Sequence, residues 1–238
     1  MITIKIAGIP IGIDARYEYT KDYVSEFVTD DAPLFTVSAT DPEIENECKI
    51  SGIHVPYQYA EHVVMYRKIA ERLSDFSAIV FHGAILECDG RAYAITAHSG
   101  VGKTTHTRLW LSEFGDKVKI LNGDKPIFRI IDGIPYACST PWRGKEGYGY
   151  NNMLPLGGIA FLARGAVNRA YKTKPDDVSM RLMNQIYISK SNPLSIARSM
   201  RIADGILSSV PLYALECNMD PEAARVAYNA FINGITTD

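Results

Sequence analysis

The chain has 238 residues, 47% hydrophobic and 22% charged, with 25 Lys and Arg against 27 Asp and Glu for a net charge of −2. That composition excludes a disordered tail, a collagen-like fibre and a coiled coil, and the balanced charge gives no global pull toward nucleic acid or an anionic membrane. The length suits one large domain or two small ones.

The four cysteines, Cys48, Cys88, Cys138 and Cys217, contain no CxxC pair, so reduced thiols in a cytoplasmic protein are expected. The N-terminus alternates apolar residues from Ile2 to Ile6, which predicts a strand rather than a signal peptide. Residues 1–56 read as short strands and turns broken by Pro10, Pro33 and Pro42. The spacing of Ala60, Val63, Val64, Arg67, Ile69, Ala70 and Leu73 predicts a helix over 57–73. Residues 77–86 are the most apolar stretch; they carry His82 and are too few to span a bilayer.

A strand is predicted over 78–88, a turn at Asp89-Gly90, a strand over 92–96, and a helix from Lys103 capped by Gly115. Residues 118–121 form a short apolar strand, and Asp132-Gly133 joins strands 126–131 and 134–138 into a hairpin. A buried strand over 157–162, helices over 176–188 and 193–207, a strand over 212–217 and a final helix capped by Asp220 complete the chain. Strands alternate with helices, so the fold class is α/β. The expected division is a strand-rich extension or small sub-domain over 1–75 and a core over 76–238.

The strongest motif is Ala97-His98-Ser99-Gly100-Val101-Gly102-Lys103-Thr104, a phosphate-loop pattern with Ala in place of the first Gly, set between a strand and a helix. Consecutive amides at a helix start form an anion nest, and the glycines let the backbone wrap phosphates. Ser99, Gly100, Val101, Gly102, Lys103, Thr104 and Thr105 are the candidate nucleotide-binding residues. Lys103 supplies a point charge to the β and γ phosphates, and the Thr104 hydroxyl is a candidate Mg²⁺ ligand. Asp124, directly after the strand that ends at Leu121, is the second candidate metal ligand, because an acidic residue at the tip of a neighbouring strand is where such proteins hold Mg²⁺. His82 lies in an apolar strand, where a lone His is commonly a satisfied core residue. Residues 139–152 pack Arg143, Lys145 and Glu146 among glycines and aromatics, a loop whose cations could neutralise a transferring phosphoryl group.

His82-Gly83, the loop His98–Thr104 and Gly123-Asp124 together resemble the HPr kinase/phosphorylase family and, more distantly, the phosphate loop of phosphoenolpyruvate carboxykinases. The resemblance covers roughly residues 78–165. It implies a P-loop-containing mixed sheet flanked by helices, like the C-terminal domain of HPr kinases. It also implies that Asp124 is the general base and that His82 lies near the phosphates or that base. The chain departs from the family at Lys125, where a second acid is frequent, and 141–147 match the arginine-glycine signature only loosely. The function so implied is a Mg-ATP-dependent kinase acting on a hydroxyl, with catalytic residues Asp124, Lys103, His82, Arg143 and Lys145. The acceptor is either a protein serine or a small metabolite. The alternative is a non-catalytic or slowly hydrolysing nucleotide switch. The expected partners are nucleotide and acceptor, with no nucleic acid and no membrane; self-association into a homo-oligomer is left open.

Overall fold

The computed structural model describes residues 1–51, 55–189 and 192–234. Strands β1 (Ile2–Ile6) and β2 (Ile9–Asp14) form an antiparallel pair, and β3 (Phe35–Ser38) adds in parallel to β2. Between and after them run two helices that the expectation of strands and turns misses: α1 (Glu18–Tyr23) and α2 (Asp41–Ile50). Pro42 does not break α2 but occupies its first turn, behind a capping box in which Thr40 and Glu43 satisfy each other's backbone amides. Helix α3 (Tyr57–Arg72) follows as expected. Its Glu61, only 1% exposed, accepts from the Arg16 amide at 2.8 Å and the Thr20 hydroxyl at 3.0 Å, pinning α1 to α3.

The predicted strand 78–88 is two strands. β4 (Ala78–Val80) and β5 (Ala84–Cys88) have different neighbours, and His82 lies at the break rather than inside a strand. After β6 (Arg91–Thr96) come α4 (Lys103–Phe114), ending at Gly115 as expected, and β7 (Val118–Asn122). The hairpin β8 (Ile127–Ile131) and β9 (Ile134–Cys138) turns at Asp132-Gly133 as expected. β10 (Met153–Arg164) is a 12-residue strand that begins well before the expected 157. A short strand β11 (Arg169–Lys172) was not legible in the sequence; α5 (Pro175–Met183) stops earlier than expected. α6 (Pro193–Ser209), β12 (Leu212–Cys217) and α7 (Glu222–Tyr228) follow. Asp220 does not cap α7 with its side chain; its carboxylate accepts from Asn218 at 2.8 Å, and only its carbonyl receives a helix amide, from Ala223.

The larger sheet has the order β4-β8-β9-β10-β6-β5-β7, with β12 on β10 and β11 outside β12. β10 joins its two halves. Residues 153–155 pair antiparallel with β9, while the rest of the strand runs parallel to both β6 and β12. β5 is antiparallel to both β6 and β7, so the ends of β6 and β7 and the start of β5 lie along one edge. One apolar cluster joins Ile4, Ile11 and Phe27 to Met65, Val80, Ile127 and Trp142, and another packs α5 and α6 on the β4-β8-β9-β10 face. A third cluster holds Trp110, fully buried, among Phe114, Tyr228 and Phe231. No described helix is long and apolar enough to cross a membrane.

Candidate functional site

The loop 97–102 leaves β6 and enters α4. Gly100 and Gly102 have φ of +78° and +126°, and a Cβ on either would meet nothing within 4 Å, so backbone angle rather than space requires glycine there. Ala97 has no positive φ, which explains why an alanine serves where the pattern has Gly. The Arg164 guanidinium, at the end of β10, donates to the Gly100 carbonyl at 2.6 Å and the Val101 carbonyl at 3.1 Å. Those bonds hold the Gly100 and Val101 carbonyls, while the Val101 amide turns back to the His98 carbonyl at 3.3 Å. Lys103 donates to the Ala97 carbonyl at 2.9 Å. Burial lowers its pKa and Lys125 adds to that, while Asp124 opposes both. Ser99, Thr104 and Thr105 are exposed at the mouth of the loop.

Asp124 is placed by Asn122, the buried last residue of β7. The Asn122 Oδ1 accepts from the Asp124 and Lys125 amides at 2.9 and 3.0 Å, and its Nδ2 donates to the carbonyl and hydroxyl of Thr140, both at 3.1 Å. One amide head therefore holds the turn and ties it to the loop after β9. The Gly83 amide donates to the Asp124 carbonyl, and the Thr96 hydroxyl donates to the His82 carbonyl, stitching the three strand ends together. At Gly83 a Cβ would lie 2.4 Å from the Phe81 ring and 2.9 Å from the Ile95 carbonyl, so only glycine allows this approach.

The Asp124 Oδ1 lies 3.4 Å from the His82 Nε2 and 3.0 Å from the Lys125 Nζ. Burial lowers the His82 pKa, Lys125 and Lys103 lower it further, and Asp124 acts the other way. A cleft of about 530 Å³ brings His82, Lys103, Thr104, Asp124, Arg143 and Lys145 together with Ser99 and Thr105. Val101 is not on this cleft.

The loop 139–152 is anchored from below. Trp142, 8% exposed, donates its indole N–H to the Nε2 of His62 in α3 at 2.9 Å and packs on Tyr66. The Arg143 guanidinium lines the cleft but pairs with Glu26, in the turn Ser25–Phe27, whose pKa it holds down. Glu146, the acid of the same loop, is paired with Arg108 of α4 at 2.6 Å. Glu26 and Gln185, whose carbonyl accepts from the His82 amide at 2.7 Å, carry no local sequence signal, because each reaches the site from a distant element. Asn122 does carry one: an Asn two residues before an acid in a turn is an Asx-turn signature.

Gly144 packs directly on Asp124. Its φ is +76°, and a Cβ there would lie 2.9 Å from the Asp124 Cβ. Gly144→Ala is therefore expected to push the carboxylate out of place and lower phosphoryl transfer by about 10- to 10²-fold. Rates of label transfer from γ-labelled ATP, measured beside a melting curve, check this; an unchanged rate would show that Gly144 does not position Asp124.

No family model matches the chain, and no curated protein sequence matches it. Among solved structures the chain is similar to the Hpr(Ser) kinase/phosphatase from Coxiella burnetii, with a TM-score of 0.37 and 11% identity over 65% of this chain and 97% of that one. A likeness at that level assigns no role to any residue.

Proposed function

We propose that the chain is a Mg-ATP-dependent kinase that moves the γ-phosphoryl group of ATP to a hydroxyl, with Asp124 as the general base. The observation that carries this reading is the placement of one carboxylate, Asp124, in the same cleft as the phosphate-loop Lys103, fixed there by Asn122. Lys125 and His82 both approach Oδ1, and among the described residues Oδ2 receives no hydrogen bond. Oδ2 takes the hydroxyl proton as the acceptor oxygen bonds to the γ-phosphorus. The bond from that phosphorus to the β–γ bridging oxygen then breaks, and ADP leaves with the electron pair. Lys103 and the loop amides meet the charge on the phosphates, and Lys145 adds a cation at the cleft wall.

The Thr104 hydroxyl and Asp124 are the residues that would hold Mg²⁺. A magnesium ion at a phosphate site keeps several waters and phosphate oxygens, so one carboxylate and one hydroxyl fit it. When bound, it neutralises charge on the transferring phosphates.

A second reading, a nucleotide switch, draws on the ion pairs of Asp124 with Lys125 and of Arg143 with Glu26, which occupy the groups nearest the chemistry. Incubation with Mg²⁺ and γ-labelled ATP in a dialysed extract supplemented with metabolites separates the two. Label in a protein band or in a small-molecule fraction is the expected result and identifies the acceptor class. Tight ATP binding with no label in either fraction would overturn the kinase and leave the switch.

A further inference from the structure

A small pocket of about 190 Å³ adjoins the cleft at His82, which lines both. Asp124 faces the cleft, Lys125 faces the pocket, and their ion pair at 3.0 Å spans the wall between them. The segment after α5 supplies much of the remaining lining. The His82 amide donates to the Gln185 carbonyl at 2.7 Å, the Tyr187 amide donates to the Val80 carbonyl at 3.0 Å, and Phe81 forms a bridge with Ile186. The joint between β4 and β5 is thus tied to residues 185–187, and Tyr66 of α3 also lines the pocket.

Among the described residues no carboxylate lines this pocket, and Lys125 is its permanent cation. An ammonium has three donors; Asp124 Oδ1 takes one, which leaves two for a ligand. The Tyr66 phenol stays protonated, because burial raises its pKa and the Asp124 charge adds to that. Asn184, exposed on the lining, brings a neutral amide. A cation among neutral donors, with no acid to meet an ammonium, selects an anion. The volume equals that of roughly six waters at ~30 Å³ each, which is room for a small metabolite. An acid at position 125, frequent in the resembled family, would repel such a ligand, so the lysine sets this chain apart.

We propose that the phosphoryl acceptor is a small hydroxy acid, its hydroxyl on Asp124 Oδ2 and its anionic group on Lys125 in this pocket. The assignment rests on the kinase reading above and names its acceptor. Lys125 and Oδ2 meet at a single carboxylate, so a short carbon chain reaches both. The hydroxyl proton passes to Oδ2 as the hydroxyl oxygen bonds to the γ-phosphorus. ADP leaves with the electron pair of the broken bond, and the product is a phosphate monoester of the acid.

A deproteinised, charcoal-treated metabolite pool, split on an anion exchanger, tests this. Each half is incubated with the chain, Mg²⁺ and γ-labelled ATP, beside a protein fraction of the same extract. Label is expected in a compound from the retained half. With that compound as substrate, Lys125→Gln is expected to raise its KM by roughly 10- to 10²-fold, the cost of a lost charged hydrogen bond, and to leave the KM for ATP unchanged. Asn184→Trp narrows the pocket from an exposed position and is expected to raise the same acceptor KM without touching the Asp124–Lys125 pair. Label in the unretained half or in a protein, or an acceptor KM that either variant leaves unmoved, would overturn the hydroxy acid while the kinase stands. No label in any fraction, with ATP still bound, would overturn the kinase reading and this assignment with it.

Discussion

Asp124→Asn is expected to lower phosphoryl transfer by at least ~10²-fold, and by as much as ~10⁴-fold, the range a positioned general base supplies. The substitution is close to isosteric. Its amide oxygen still accepts from Lys125, and the turn is unaffected because Asn122, not residue 124, receives the backbone amides that shape it. What the variant loses is the ability to take a proton. ATP binding is expected to persist, since the loop amides and Lys103 remain, although loss of one candidate metal ligand will weaken its Mg²⁺ dependence. The decisive comparison is the rate of acceptor labelling at saturating Mg-ATP beside the calorimetric ATP affinity. Wild-type turnover in Asp124→Asn would remove the residue from the base role.

The second large effect is on stability in acid. The chain's two tryptophans each donate an indole N–H to the Nε2 of a buried histidine: Trp142 to His62 and Trp110 to His106. Burial lowers both imidazole pKa values from 6.5 to about 4. The folded rings therefore stay neutral while the unfolded ones bind protons below 6.5, so the unfolded state takes up more protons in that window. The stability these rings contribute is fully present above pH 6.5 and is lost as the pH falls from 6.5 toward 4. The steepest slope is about 1.4 kcal/mol per pH unit for each ring. Below the folded value the ring itself gains a proton at the nitrogen that had accepted the indole. Urea midpoints followed by tryptophan fluorescence across this range check the effect, with His62→Gln expected to flatten the slope by keeping an acceptor that does not titrate. A midpoint constant between pH 6.5 and 4 would contradict it.

The parts of the site that follow one another closely in the chain were legible in the sequence. β6, the loop and α4 announce themselves by strand, glycines, Lys103 and Thr104 in unbroken order, and Asp124 follows an apolar strand by two residues. The break at residues 81–83 was not legible. Residues 78–88 are almost uniformly apolar, because β4 and β5 are both buried, and two buried strands in succession carry no alternation to mark the joint. Helix α2 shows the opposite case: its Thr40 and Glu43 capping box was readable, but the proline beside it drew the reading toward a turn. Arg143 was recognised as a cation of the site loop. Its pairing with Glu26 was not, since nothing local links a loop late in the core to a turn near the N-terminus. His106 carries no signal in the sequence beyond its place in α4. Only the placement of Trp110 one turn later, with its indole on Nε2, shows which ring nitrogen has no partner among the described residues.

The shared strand β10 sets the order in which the molecule can assemble. It is bound on one side by β6, which precedes it by a long stretch of chain, on the other by β12, which is made near the end, and at its start by β9. The hairpin β8–β9 can close by itself, whereas neither parallel neighbour of β10 can dock until a long intervening segment has been looped out. During synthesis the half of the sheet that holds β6 therefore stays unfinished until β12 emerges, with the apolar flank of β10 uncovered. The pairings of β12 with β10 and β11 are thus the last that the emerging chain can make in the larger sheet.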